Sequence, residues 1–145
     1  MSAEVIAGML RIASDDLDGA RLLNQAANRN AAYLCEQAAE KLIRAVLTSE
    51  GIHAGIRHEL TDMVDKIPDE NSLKSALRAI EHLSAYATAF RYPSPRGRVS
   101  SPPTTLELDA DITKIGGALS AAIAWFQVDL SKRDTPARNP NPIRQ

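Results

Sequence analysis

The chain has 145 residues, with 17 Lys and Arg against 18 Asp and Glu, for a net charge of −1. That length suits one domain around one core, and the charge balance excludes a globally basic nucleic-acid binder while leaving room for a local basic patch. Hydrophobic residues make up 44% and aromatic residues only 4%, so the core is expected to be aliphatic and alanine-rich, as helix-on-helix packing tolerates.

The first helical pattern covers about 3–27, with Val5, Ile6, Met9, Ile12, Ala13, Leu17, Ala20 and Leu23 recurring at three- and four-residue steps. Asn28 or Asn30 can cap a second helix over about 31–50, whose apolar side is Leu34, Cys35, Ala38, Leu42, Ala45 and Val46. Gly51 is placed to end it in the left-handed conformation. A loop with two histidines leads to a short connector helix near 58–66, stopped by Pro68. Asp69 or Asn71 can cap a fourth pattern over about 70–90, marked by Leu73, Leu77, Ile80, Leu83, Ala87 and Phe90. Thr104 and Glu107 form a capping box ahead of a last helix over about 105–130. No segment alternates with the period of a strand. The expected fold is all-α, an up-and-down four-helix bundle with a short extra connector helix over 1–130 and a polar, flexible tail over 131–145.

A single cysteine, Cys35, precludes an intrachain disulfide and points to a reducing, cytoplasmic setting, with the thiol filling core. The N-terminus, "MSAEVIAGMLRIASDD", has no basic lead and is not read as a signal peptide. The nearly apolar run "IGGALSAAIAWF" is too short to span a bilayer, so no membrane association is expected. Glu50 and His53 carry the Glu-x-x-His spacing of di-metal bundles, but in one copy and with Gly51 inside it. No metal and no cofactor is expected. In the second helix, Glu36, Glu40 and Arg44 share a face and read as a solvated ion-pair ladder. Asp16 borders the apolar stripe of the first helix, where an acid needs a hydrogen-bond partner or a cation.

The stretch "AFRYPSPRGR" concentrates the chemistry. It follows a helical pattern, holds Arg91, Arg96 and Arg98, and contains no acid. Pro93 forces Tyr92 toward an extended conformation, so Arg91 is fixed at the helix exit, as a phosphate clamp requires. A helix C-terminus gives an anion no help from its dipole, so any phosphate here depends on guanidinium groups. A capping role for Arg91 accounts for the same residue equally well.

"DLDGARLL", "YLCEQAAEKLIRAVL", "RHEL" and "FRYPSP" occur in that order over about residues 9–126. The set resembles the HEPN domain, with its A-x-x-D-L-x-x-A helix, Q-A-x-E-K helix, His-x-Leu connector and R-Y-P ending. The resemblance implies a helical bundle that pairs into a homodimer, binds a nucleotide or RNA in a shared polar cleft, and often accompanies a minimal nucleotidyltransferase in a toxin–antitoxin system. It places Arg91 and Tyr92 at the R-Y-P position, His58 at the connector, Gln37, Glu40 and Lys41 in the second-helix motif, and Asp16 in the first. Ribonuclease members carry Arg, four to six residues, then His. Here no histidine follows Arg91, and Arg78 and His82 have only three residues between them. The sequence therefore favours a binding module with Arg91, Tyr92, Lys41, Arg96 and Arg98 facing phosphate, and Asp16, Gln37 and Glu40 lining the cleft. The alternatives are a metal-independent ribonuclease toxin, with His58 and Arg91 catalytic, and a purely structural interaction protein.

Overall fold

A computed structural model describes residues 2–56 and 59–144. Every regular element among them is helical: α1 (Ser2–Gln25), α2 (Asn30–Ser49), α3 (Leu60–Asp65), α4 (Lys74–Arg78), a 3₁₀ segment (Glu81–Ala87) and α5 (Thr105–Phe126). Helices α1, α2 and α5 are the long members, and α2 packs against α1, α5, α3 and the 3₁₀ segment. Fully buried Ala31, Ala32, Ala38, Ala39 and Ala45 let its neighbours approach closely, with Leu42, Ile43 and Leu47 filling the space between. This is the alanine-rich core that the low aromatic content requires.

Capping residues mark the end of α2 and the start of α5. At the start of α2 the N-cap position falls on Arg29, which makes no side-chain cap bond, and neither asparagine takes it; Asn28 Oδ1 instead accepts from the Asn30 backbone N–H at 2.9 Å across the turn. Gly51, at φ 73°, turns the chain away after α2 while Ile52 N–H bonds back to Leu47 O at 3.0 Å. At α5 the capping box is complete: Thr104 Oγ1 accepts from Glu107 N–H at 3.1 Å, and Glu107 Oε2 accepts from Thr104 N–H at 3.2 Å.

The fourth pattern departs from expectation. It is not one helix over 70–90 but the short α4 followed by the 3₁₀ segment. The spacing of Leu77, Ile80 and Leu83, all fully buried, supplies the reason. Side chains three apart eclipse in a 3₁₀ turn but drift around an α-helix, so three-residue steps keep this row on the core. Two side-chain bonds hold the tighter turn in place. Ser84 Oγ accepts from Leu60 N–H at 2.7 Å, and His82 Nε2 lies 2.9 Å from Asp111 Oδ1.

The 131–145 segment, expected to be flexible, lies along the bundle over its described residues. Ala137 N–H bonds Ala3 O at 2.9 Å, and Ala137 and Ile143 are buried. Arg11 donates to the carbonyls of Asp129, Lys132 and Thr135. Trp125 Nε1–H donates to Asn141 O at 2.8 Å. At the far end Arg144 grips Glu50 with two bonds of 2.7 and 2.8 Å, and Asn71 Nδ2 adds a third at 2.7 Å. Glu50 is therefore a tether for the tail. The described residues contain no group of three or more side chains suited to a metal ion. No described helix is long and apolar enough to cross a membrane.

Two outcomes test these contacts. Thr104→Ala removes the α5 cap and should destabilise the protein by about 1 kcal/mol in chemical denaturation. Arg144 holds the Glu50 carboxyl below its ordinary range, chiefly through their hydrogen bonds. A depressed folded pKa stabilises above the unfolded value, about 4.3 to 4.5, and is lost as pH falls through the folded one. Arg144→Ala should thus lower Tm by a few degrees at neutral pH, and the gap from wild type should close as the pH drops below about 4.

Candidate functional site

The hollow that gathers the most chemistry lies between α2, the start of α3 and the end of the 3₁₀ segment. Tyr33, Glu36, Gln37, Glu59, Ser84, Ala87, Thr88 and Arg91 line its volume of about 530 Å³. Tyr33, Glu36 and Gln37 reach it from α2 at three- and four-residue spacing, on one face of the helix. Ser84, Thr88 and Arg91 reach it from the opposite wall.

Arg91 is exposed and lies beyond the 3₁₀ segment, so it is not the last residue of a long helix as the sequence suggested. Its guanidinium carbon is 4.2 Å from the centroid of the Tyr33 ring and 5.3 Å from that of Tyr92. Its one hydrogen bond, to Ala87 O, is long at 3.5 Å. Among the described residues no carboxylate pairs with it. A guanidinium held over an aromatic ring and not against a carboxylate keeps N–H donors for a ligand, because the ring accepts none of them in a conventional hydrogen bond. Backbone bonds add to this placement. Arg91 N–H donates to Thr88 O at 3.1 Å, and Arg29 Nη1 donates to Phe90 O at 3.4 Å and Ser100 O at 3.2 Å. Arg29 thus closes the base of the loop that follows Arg91.

Behind the hollow runs a chain of polar contacts. Gln37 Nε2 donates to Glu36 Oε2 at 2.9 Å; Lys41 Nζ donates to Gln37 Oε1 at 3.0 Å and to Asp16 Oδ2 at 2.8 Å. The structure therefore joins Asp16, Gln37 and Lys41, giving Asp16 the cation that an acid beside an apolar stripe needs. Lys41, however, is spent on Asp16, ties α2 to α1 and does not line the hollow. Glu40 is buried beside Arg44 at 3.5 Å and is likewise outside it. Reading Glu36 and Glu40 as a solvated ladder is corrected: Glu36 is fully buried and Glu40 is 6% exposed. Their burial comes from the covering of α2, which helix periodicity cannot reveal.

Tyr92, Arg96 and Arg98 are exposed on the loop after Arg91. Gly97, at φ 78°, lets that loop fold back, with Ser94 N–H bonding Arg98 O at 2.8 Å. Arg96 and Arg98 do not line the hollow. His58 lies outside the described residues.

Tyr33, Glu59, Ser84 and Thr88 were missed in the sequence, for want of any motif spacing. So was a second pair, His82 with Asp111, which is 7% exposed at its side chain. These two are far apart in the chain and meet only because the 3₁₀ segment rests against α5. The pair does not line the Arg91 hollow, and the His82 and Tyr86 rings meet nearly perpendicular with centroids 6.3 Å apart. Burial, reinforced by Asp111, pushes the Cys35 thiol up to about 12. The same two causes raise Tyr86. Cys35 therefore stays protonated and inert in the core.

A larger hollow, of about 620 Å³, separates α1 from the 129–135 loop and is lined by Glu4, Arg11, Asp15, Arg133 and Asp134 among others. Its central cation, Arg11, is spent on backbone carbonyls, so size and chemistry do not coincide.

Comparison with known proteins agrees with this architecture. No curated protein matches the chain. Among solved structures, the crystal structure of ST0689, an archaeal HEPN homologue, superposes with a TM-score of 0.57 at 19% identity, covering 82% of this chain and 95% of that one. At that identity the likeness is one of fold. The HEPN domain model matches residues 6–111, which takes in α1, α2, the connector, the Arg91 segment and the first turns of α5. On that match, with the fold alongside it, the chain belongs to the HEPN domain family.

Proposed function

We propose that this protein is a HEPN module that binds the phosphate of a nucleotide or RNA in the Arg91 hollow. The observation that carries the reading is Arg91 itself, stacked on Tyr33 at 4.2 Å with no carboxylate partner among the described residues. Arginine so placed presents a bidentate N–H edge that fits phosphate geometry, and within the chain it is left unneutralised. Its surroundings support the same reading. From His82 to Leu106 the chain contains no acid, while Arg91, Arg96 and Arg98 stand on one exposed loop. Phosphate is drawn toward this side of a molecule whose net charge is close to zero.

Family membership extends the proposal to the working unit. A homodimer would bring two Arg91 side chains into one assembly, and a minimal nucleotidyltransferase is the partner expected in a toxin–antitoxin setting. Binding is favoured over cleavage. The Arg-x(4–6)-His spacing of the ribonuclease members is absent, and no described histidine lines the hollow.

The test is titration of the protein with a short single-stranded oligoribonucleotide in EDTA, by calorimetry or fluorescence anisotropy. Wild type should bind and return the RNA intact. Arg91→Ala should weaken binding about tenfold or more, the scale of a charge-assisted bond. Its Tm should change little, since an exposed cation–π contact contributes only about 0.5–1 kcal/mol. Unchanged affinity in Arg91→Ala would contradict the proposal, and cleaved RNA would support the ribonuclease reading instead.

A further inference from the structure

The Arg91 hollow is not uniformly positive. Besides the guanidinium it is bordered by Glu59, the residue that opens α3. The Glu59 carboxylate makes no helix-capping bond, and it has no hydrogen bond or ion pair with any described residue. It also lines a second, smaller hollow with Asp62, Asp65 and Lys66. Its position relative to Arg91 is fixed by the bond from Leu60 N–H to Ser84 Oγ, which pins the start of α3 to the segment that carries Arg91. Arg91 attracts a bare phosphate, but Glu59 adds nothing to its binding, because a carboxylate beside it is repulsive. The hollow instead matches a ligand with an anion at one end and hydrogen-bond donors at the other.

Resting on the phosphate-binding reading above, we infer that the hollow recognises a ribose phosphate unit, with phosphate on Arg91 and the vicinal 2′,3′-hydroxyls on Glu59. A carboxylate has two acceptor oxygens and no donor, so it pairs with both hydroxyls of a cis-diol at once. A deoxyribose offers one hydroxyl where the ribose offers two. The acceptor-rich wall therefore makes Glu59 the residue that separates ribonucleotides from deoxyribonucleotides, and Arg91 the residue that holds either by its phosphate. The 2′-hydroxyl is the group by which proteins tell RNA from DNA.

The experiment compares adenosine 5′-monophosphate, its 2′-deoxy counterpart and inorganic phosphate by calorimetric titration against wild type, Glu59→Ala and Arg91→Ala. Wild type should bind the ribonucleotide about tenfold more tightly than the deoxynucleotide, as loss of one bond to a charged group predicts. Glu59→Ala should bring the two to equal affinity and hold inorganic phosphate at least as tightly as wild type does. Since the Glu59 side chain caps nothing, an unchanged far-UV spectrum and Tm should accompany that result. Equal affinities in wild type, or a preference that persists in Glu59→Ala, would overturn the assignment of Glu59 and leave phosphate binding at Arg91 standing. If none of the three probes binds, or Arg91→Ala binds them all as wild type does, the phosphate site itself fails and the inference falls with it.

Discussion

Helix α2 is covered by α1, α5, α3 and the 3₁₀ segment, so the polar side chains it carries must be satisfied largely inside the protein. That constraint organises the molecule. Asp16 on α1 answers Lys41, Lys41 answers Gln37, and Gln37 answers Glu36, a fully buried carboxylate at the edge of the hollow. Ala31, Ala32, Ala38, Ala39 and Ala45 let the covering helices come close, and the larger aliphatic residues of α2 fill the space between. Polar groups buried in this way set the register of α1 on α2, because sliding either helix by a turn would leave a charge without its partner.

The same covering decides which cation is available to a ligand. Lys41 and Arg44 are engaged with acids on or beside α2, and Arg11 is engaged with the carbonyls of the C-terminal segment. Arg91 differs because an aromatic face, not a carboxylate, holds it. Stacking restrains a guanidinium without neutralising it, so the ordering of the side chain is settled before a ligand arrives and the donor edge stays open. The loop beyond is closed at its base by Arg29 and turned at Gly97, which keeps Pro93 and the two further arginines outside the hollow while leaving their charge nearby.

Much of this was legible in the sequence. Apolar periodicity located α1, α2 and α5, the Thr104–Glu107 pair marked the start of α5, and Gly51 marked the end of α2, since these features are written in adjacent residues. The ordered motifs also pointed to the HEPN family and to Arg91. What could not be read was long-range. The three-residue steps of Leu77, Ile80 and Leu83 suit an α-helix nearly as well as a 3₁₀ turn until the core they face is known. The tail looked flexible because its composition is polar, yet Arg144 finds a buried carboxylate in Glu50, and Ala137 N–H donates to the Ala3 carbonyl at the start of α1. Tyr33 and Glu59 joined the hollow only when folding brought α2, α3 and the Arg91 segment together. Lys41, conversely, had the right chemistry for phosphate and was placed elsewhere by its partner Asp16.

Side-chain NMR of the arginines tests the central claim most directly, with the Arg91 Nε–Hε resonance assigned by comparison with Arg91→Lys and followed as inorganic phosphate is added. Stacking on Tyr33 predicts a free-state proton signal displaced by the ring current, lost in Tyr33→Leu and retained in Tyr33→Phe, that moves saturably with phosphate. A resonance at the position of a solvated arginine, indifferent to both Tyr33 and phosphate, would contradict the account.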